Sequence, residues 1–143
     1  MVRALILRGP GTNCDMETAH AFSMAGAEVN YIYIDTLLDA REVLFENNIL
    51  AIPGGFTYGD DLGAGTVMAA RLNTVSDTIE EFVQEGNLVI GICNGFQILV
   101  KMGLLPGFER KCVTLTGIPA GRLQDRWLEL SVESEKCVFL RGI

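Results

Sequence analysis

The chain has 143 residues, 49% hydrophobic and 20% charged, with 18 acidic against 11 basic side chains and a net charge of −7. That is the composition of one globular domain with a sizeable core, and it excludes a disordered segment. It also supplies no cationic footprint for nucleic acid or an anionic membrane surface.

Val2 to Leu7 is apolar apart from Arg3 and predicts a buried strand. It is too short for a signal peptide, no other run approaches a bilayer span, and a cytoplasmic protein is expected. Gly9-Pro10-Gly11-Thr12-Asn13 reads as a turn, with Thr12 or Asn13 as N-cap of a helix running to about Ala25. Asp15 stands three residues past Thr12, at capping-box spacing. A strand over Val29 to Ile34, a short helix over Leu37 to Glu46 and a strand over Ile49 to Ile52 follow, the last ended by Pro53-Gly54-Gly55. Residues 56–72 are glycine-rich and pass from loop into helix.

Val75, Ile79, Phe82 and Val83 recur at helical spacing, with Asp77, Glu80, Glu81 and Glu85 on a solvated opposite face. Leu88 to Ile92 is a fourth strand and Asn94 to Met102 a helix that starts at once after it. Beyond Pro106, the segments Cys112 to Thr116, Trp127 to Val132 and Cys137 to Leu140 read as three short strands. The alternation predicts an α/β fold, a flavodoxin-like doubly wound, mostly parallel sheet with helices on both faces, ending in short antiparallel strands. All of 1–143 is expected to form a single domain.

Gly91-Ile92-Cys93-Asn94-Gly95, set between a strand and a helix, is a nucleophile elbow with cysteine at its apex. Flanking glycines keep side chains out of the tight turn, and the new helix aims its N–H groups at the sulfur. A cysteine so placed attacks an acyl or amide carbon to give a thioester. The tetrahedral intermediate needs two N–H donors. Asn94 supplies one; Gly54, Gly55 or Phe56, at the end of the neighbouring strand, supplies the second. Gln97, about one helical turn past Cys93, offers an amide to the substrate.

The lone histidine, His20, falls within the first helix and reads as a structural or surface residue rather than as the base. Cys14, Cys112 and Cys137 read as structural thiols, the last two core or half-buried. No cysteine pair has C-x-x-C spacing, so neither a metal site nor a disulfide framework is expected. Gly9-x-Gly11 lacks the third glycine of a dinucleotide loop, and residues 55–65 lack the Gly-Lys-Ser/Thr of a phosphate loop.

Four segments are more specific: Pro10-Gly11-Thr12-Asn13-Cys14-Asp15, Pro53-Gly54-Gly55-Phe56-Thr57-Tyr58-Gly59-Asp60, Gly91-Ile92-Cys93-Asn94-Gly95-Phe96-Gln97-Ile98-Leu99 and Gly121-Arg122-Leu123-Gln124-Asp125-Arg126-Trp127. Together they resemble the class I, triad-type glutamine amidotransferases, and among these the glutaminase subunits of phosphoribosylformylglycinamidine synthase. The resemblance spans essentially the whole chain. It implies that Cys93 attacks the side-chain amide of glutamine, that Gln97 contacts this substrate, and that Gly55 and Asn94 lie at the oxyanion hole. It implies transfer of ammonia to a synthetase subunit that uses ATP and Mg²⁺ to make an amidine for purine synthesis, with a small third subunit joining them. No cofactor is expected in this chain itself.

The family's catalytic His and Glu match no residue here. The expectation is therefore a domain truncated at its C-terminus and close to inactive. Asp61 and Gly63 also stand where the family often has an aromatic residue and an arginine. Two other readings remain open: a non-catalytic docking module, and another cysteine hydrolase built on a similar elbow.

Overall fold

A computed structural model describes residues 1–107, 112–117, 121, 125–133 and 136–142. Four strands, β1 (Arg3–Arg8), β2 (Glu28–Tyr33), β3 (Ile49–Ile52) and β4 (Leu88–Gly91), form one parallel sheet in the order β2-β1-β3-β4. This is the flavodoxin-like doubly wound order. Five α-helices connect and cover the strands: α1 (Asp15–Met24), α2 (Ile34–Asp39), α3 (Thr66–Leu72), α4 (Ser76–Gln84) and α5 (Asn94–Met102).

Side-chain alternation along the strands builds two layers. Leu5 and Leu7 of β1 join Leu50 and Ile52 of β3 in the larger core, closed by Leu37, Met68, Leu72, Ile79, Phe82, Ile98 and Leu99 of the helices. Ala4, Ile6, Ile49 and Ala51 point to the opposite face and meet Ala19 and Phe22 of α1. β1 and β3 are apolar on both faces because helices cover both faces.

The start of α1 differs from expectation. Cys14 occupies the N-cap position and no side chain caps the helix. Thr12 is held elsewhere, its hydroxyl accepting from Gly9 N–H at 3.1 Å and its backbone bridging to Gly55. Asp15, 6% exposed, makes an ion pair with Arg8 at 2.8 Å in place of a capping box. The helix expected over Leu37 to Glu46 is instead α2 followed by a 3-10 turn over Arg41–Glu46.

The three C-terminal strands are not formed among the described residues. Residues 112–117 and 125–133 carry no regular structure, and Val138–Leu140 is a 3-10 turn. An alternating apolar pattern makes a strand only where a neighbour satisfies its backbone groups, and none pairs with these segments. Cys112 and Cys137 are accordingly exposed rather than half-buried, and Trp127 and Leu130 lie in solvent. No helix among the described residues is long and apolar enough to cross a membrane.

Candidate active site

Ligands of open α/β sheets bind beyond the carboxyl ends of the strands where the winding direction reverses. Here the chain goes from β1 outward to β2, then returns to the other side of β1 as β3. The loops leaving β1 and β3 meet at that point. Asn13 and Cys14 N–H donate to the Gly54 carbonyl at 3.2 and 3.1 Å, and Phe56 N–H donates to the Gly11 carbonyl at 2.9 Å. A Cβ at Gly55 would lie 2.6 Å from Gly11 O, so this backbone-on-backbone contact requires glycine.

Cys93 follows β4 at the same edge. Its φ of 54° and ψ of −108° are a strained conformation for a residue with a side chain, as a nucleophile elbow requires. The helix then packs so close to β3 that a Cβ on Gly95 would stand 1.9 Å from the Ile52 carbonyl oxygen. The thiol is exposed. A Cβ on Gly54 would lie 3.4 Å from Cys93 Cβ and 3.5 Å from Cys14 Sγ. Gly54 thus keeps a gap open beside the nucleophile, and the Cys14 thiol borders it.

The expected site residues converge, with one correction. Phe56 N–H is committed to Gly11 and cannot serve an oxyanion. Gly54, Gly55 and Asn94 N–H take no acceptor among the described residues, which leaves a glycine donor of the β3 loop and Asn94 for that role. The Phe56 side chain is 64% exposed at the rim. Gln97 N–H donates to the Cys93 carbonyl at 3.2 Å, so its half-buried side chain sits one turn above the nucleophile. His20 lies on the exposed face of α1.

Thr57 and Asp60 were not foreseen as site residues. The Asn94 side chain, 1% exposed, accepts from Thr57 N–H at 3.3 Å and from Thr57 Oγ1 at 2.7 Å. It donates to Asp60 Oδ1 at 3.2 Å and to Gln97 Oε1 at 3.2 Å. Asp60 Oδ1 also accepts from Gly65 N–H at 3.1 Å, before α3. The loop so held carries left-handed conformations at Tyr58 and Asp60. Arg71 of α3 donates to the Tyr58 hydroxyl at 2.6 Å and to the Asp35 carboxylate. Hydrogen bonds to Tyr58, then Asp35, hold the guanidinium above its ordinary range. No pattern of residue type announces these contacts, because they join a loop to a helix 34 to 37 residues further on.

An apex cysteine with Gly54 against it, unbound N–H groups in the two flanking segments and an amide one turn on can take up an acyl or amide carbon. Comparison with known proteins bears on which kind. A family model for the CobB/CobQ-like glutamine amidotransferase domain matches residues 1–143. The phosphoribosylformylglycinamidine synthase subunit PurQ of Dehalococcoides mccartyi is 49% identical over 99% of this chain and 57% of its own length. That of Methanococcus maripaludis is 38% identical over 99% of this chain and 54% of its own. The chain thus spans little more than half the length of these curated relatives. A solved structure of PurLQS from Thermotoga maritima, 40% identical, superposes with a TM-score of 0.62 over 74% of this chain and 46% of that one. The chain belongs to the CobB/CobQ-like glutamine amidotransferase domain family.

Proposed function

We propose that this chain carries the nucleophile of a glutaminase subunit of phosphoribosylformylglycinamidine synthase. The observation that carries the reading is the strained Cys93 elbow with Gly54 against it and the N–H groups of Gly54, Gly55 and Asn94 unbound among the described residues, in a chain 49% identical to a PurQ subunit. The Cys93 sulfur attacks the δ-carbon of glutamine, and the oxyanion is held by the N–H of Asn94 and of Gly55, with Gly54 at its side. Collapse of the intermediate expels ammonia and leaves a glutamyl thioester, which water hydrolyses to glutamate. Gln97 holds the substrate beside the elbow.

The leaving amine must take up a proton, and an imidazole is the usual source. The sequence has one histidine, His20, exposed on α1. These 143 residues on their own therefore turn over glutamine slowly. Ammonia passes to a synthetase subunit that uses ATP and Mg²⁺ to make the amidine, a small third subunit completes the complex, and the assembly works in the cytoplasm.

Glutamate release from glutamine tests the reading, measured with the chain at its relatives' full length and with the synthetase present. Cys93→Ala should abolish release. Undiminished release by that variant would sink the mechanism.

A further inference from the structure

We propose that Asn94 and Asp60 are positioning residues that fix which way the Gln97 amide faces, so that Gln97 presents its NH₂ to the substrate. The proposal rests on the amidotransferase reading and goes further into the same site.

The argument is one of forced polarity. A backbone N–H can only donate, and Thr57 N–H points at one end of the Asn94 amide, at 3.3 Å. That end must be the carbonyl oxygen. The other end is then the NH₂ group, and it meets Asp60 Oδ1 at 3.2 Å, an oxygen that also accepts from Gly65 N–H at 3.1 Å. Both fixed neighbours agree, so Asn94 has one orientation. Its NH₂ also meets the Gln97 side chain at 3.2 Å. Gln97 must offer its oxygen there, which turns its own NH₂ away from the network. The binding atom of Gln97 is therefore a donor, and its ligand is an acceptor oxygen of the substrate. Because Asn94 is 1% exposed, water cannot substitute for a mismatched partner, and a wrong polarity would leave a buried group unpaired.

The test uses this chain and two electrophiles. A chloroketone analogue of glutamine keeps the amino-acid head; the thiolate sulfur of Cys93 forms a bond to its methylene carbon as the carbon–chlorine bond breaks and chloride leaves. Iodoacetamide alkylates the same sulfur, with loss of iodide, but has no amino-acid head. The readout is the ratio of the two labelling rates at Cys93, followed by peptide mass.

Asn94→Asp makes both ends of residue 94 acceptors and sets it against Asp60. Adding Asp60→Asn removes the charge repulsion, although the oxygen that accepts from Gly65 N–H cannot also donate to residue 94, and Gln97 must still turn its NH₂ inward and its oxygen outward. The double variant should regain part of the melting temperature lost by Asn94→Asp while its ratio stays about tenfold or more below the parent, the size of one inverted hydrogen bond. Gln97→Glu, which keeps the bond to Asn94 but presents an acceptor outward, should lower the ratio similarly and does not depend on refolding of the network. Recovery of the ratio in the double variant, or an unchanged ratio in Gln97→Glu, would overturn the proposal. A parent chain with no preference for the chloroketone would overturn the amidotransferase reading instead, and this one with it.

Discussion

At Cys93 the backbone is held where a side chain is unwelcome, with φ at 54° and ψ at −108°. Strain of this kind costs about 1–3 kcal/mol and persists only where the surroundings enforce it. Here they do: Ile92 N–H is bound to Ile52 O at 3.0 Å and Gly95 N–H to Ile92 O at 2.9 Å, on either side of the apex. Replacing the cysteine separates strain from chemistry. Cys93→Gly and Cys93→Ala both remove the sulfur, but only glycine relieves the conformation. Cys93→Gly should be the more stable of the two by about 1 kcal/mol, after the larger chain entropy of unfolded glycine is subtracted. Paired urea unfolding curves measure the difference; equal midpoints would mean that the elbow is not strained. The cysteine and its flanking glycines were legible in the sequence because the elbow is a local device, complete within five residues. The Asn94 network was not, since its polarity is set by Thr57 and Asp60 from another segment.

Among the elements, α4 shows how a helix's pattern becomes its position. Ile79 and Phe82 are buried, Val83 is half-buried, and the acidic side faces outward. Phe82 meets Phe45 of the 3-10 turn over Arg41–Glu46 edge to face, with ring centres 6.0 Å apart at 72°. Phe82 is fully buried while Phe45 is not, so truncation leaves a closed cavity only at the first. Phe82→Ala should cost about 3–5 kcal/mol, and Phe45→Ala measurably less, by chemical denaturation. The reverse order would place the core elsewhere. Helices and central strands were legible because each carries its own period and is covered by its neighbours. Three kinds of detail were not. The cap of α1 went to Cys14, since the Thr12 backbone is drawn into the bridge with Gly55. The run Leu37 to Glu46 split between the end of α2 and a 3-10 turn. The segments after Pro106 have alternating residues but no paired strand, and pairing is a property of two segments rather than one.

Among the described residues, the two sides of the sheet are unequally covered. α2 to α5 close over one face, while α1 and Phe139 of the last 3-10 turn lie on the other. β4 stands at the sheet's edge and is half-buried along its length. The 3-10 turn after Cys137 reaches Leu88 and Val89 at its lower end, around a cavity of about 380 Å³. At its upper end Ile90 and Ile92 join Thr18, Ala21, Phe22 and Ala25 in an open, almost wholly apolar hollow of about 230 Å³. Unpaired strand edges beside apolar surface are templates for association with another chain. This chain should therefore self-associate as its concentration rises into the high micromolar range. Ile92, 43% exposed, is the place to interrupt the contact, because a lysine there adds a charge to the hollow without entering the core. Sedimentation velocity should show larger species for the parent and a shift toward monomer for Ile92→Lys. A parent that stays monomeric throughout that range would mean that the edge and hollow are too small to hold a second copy.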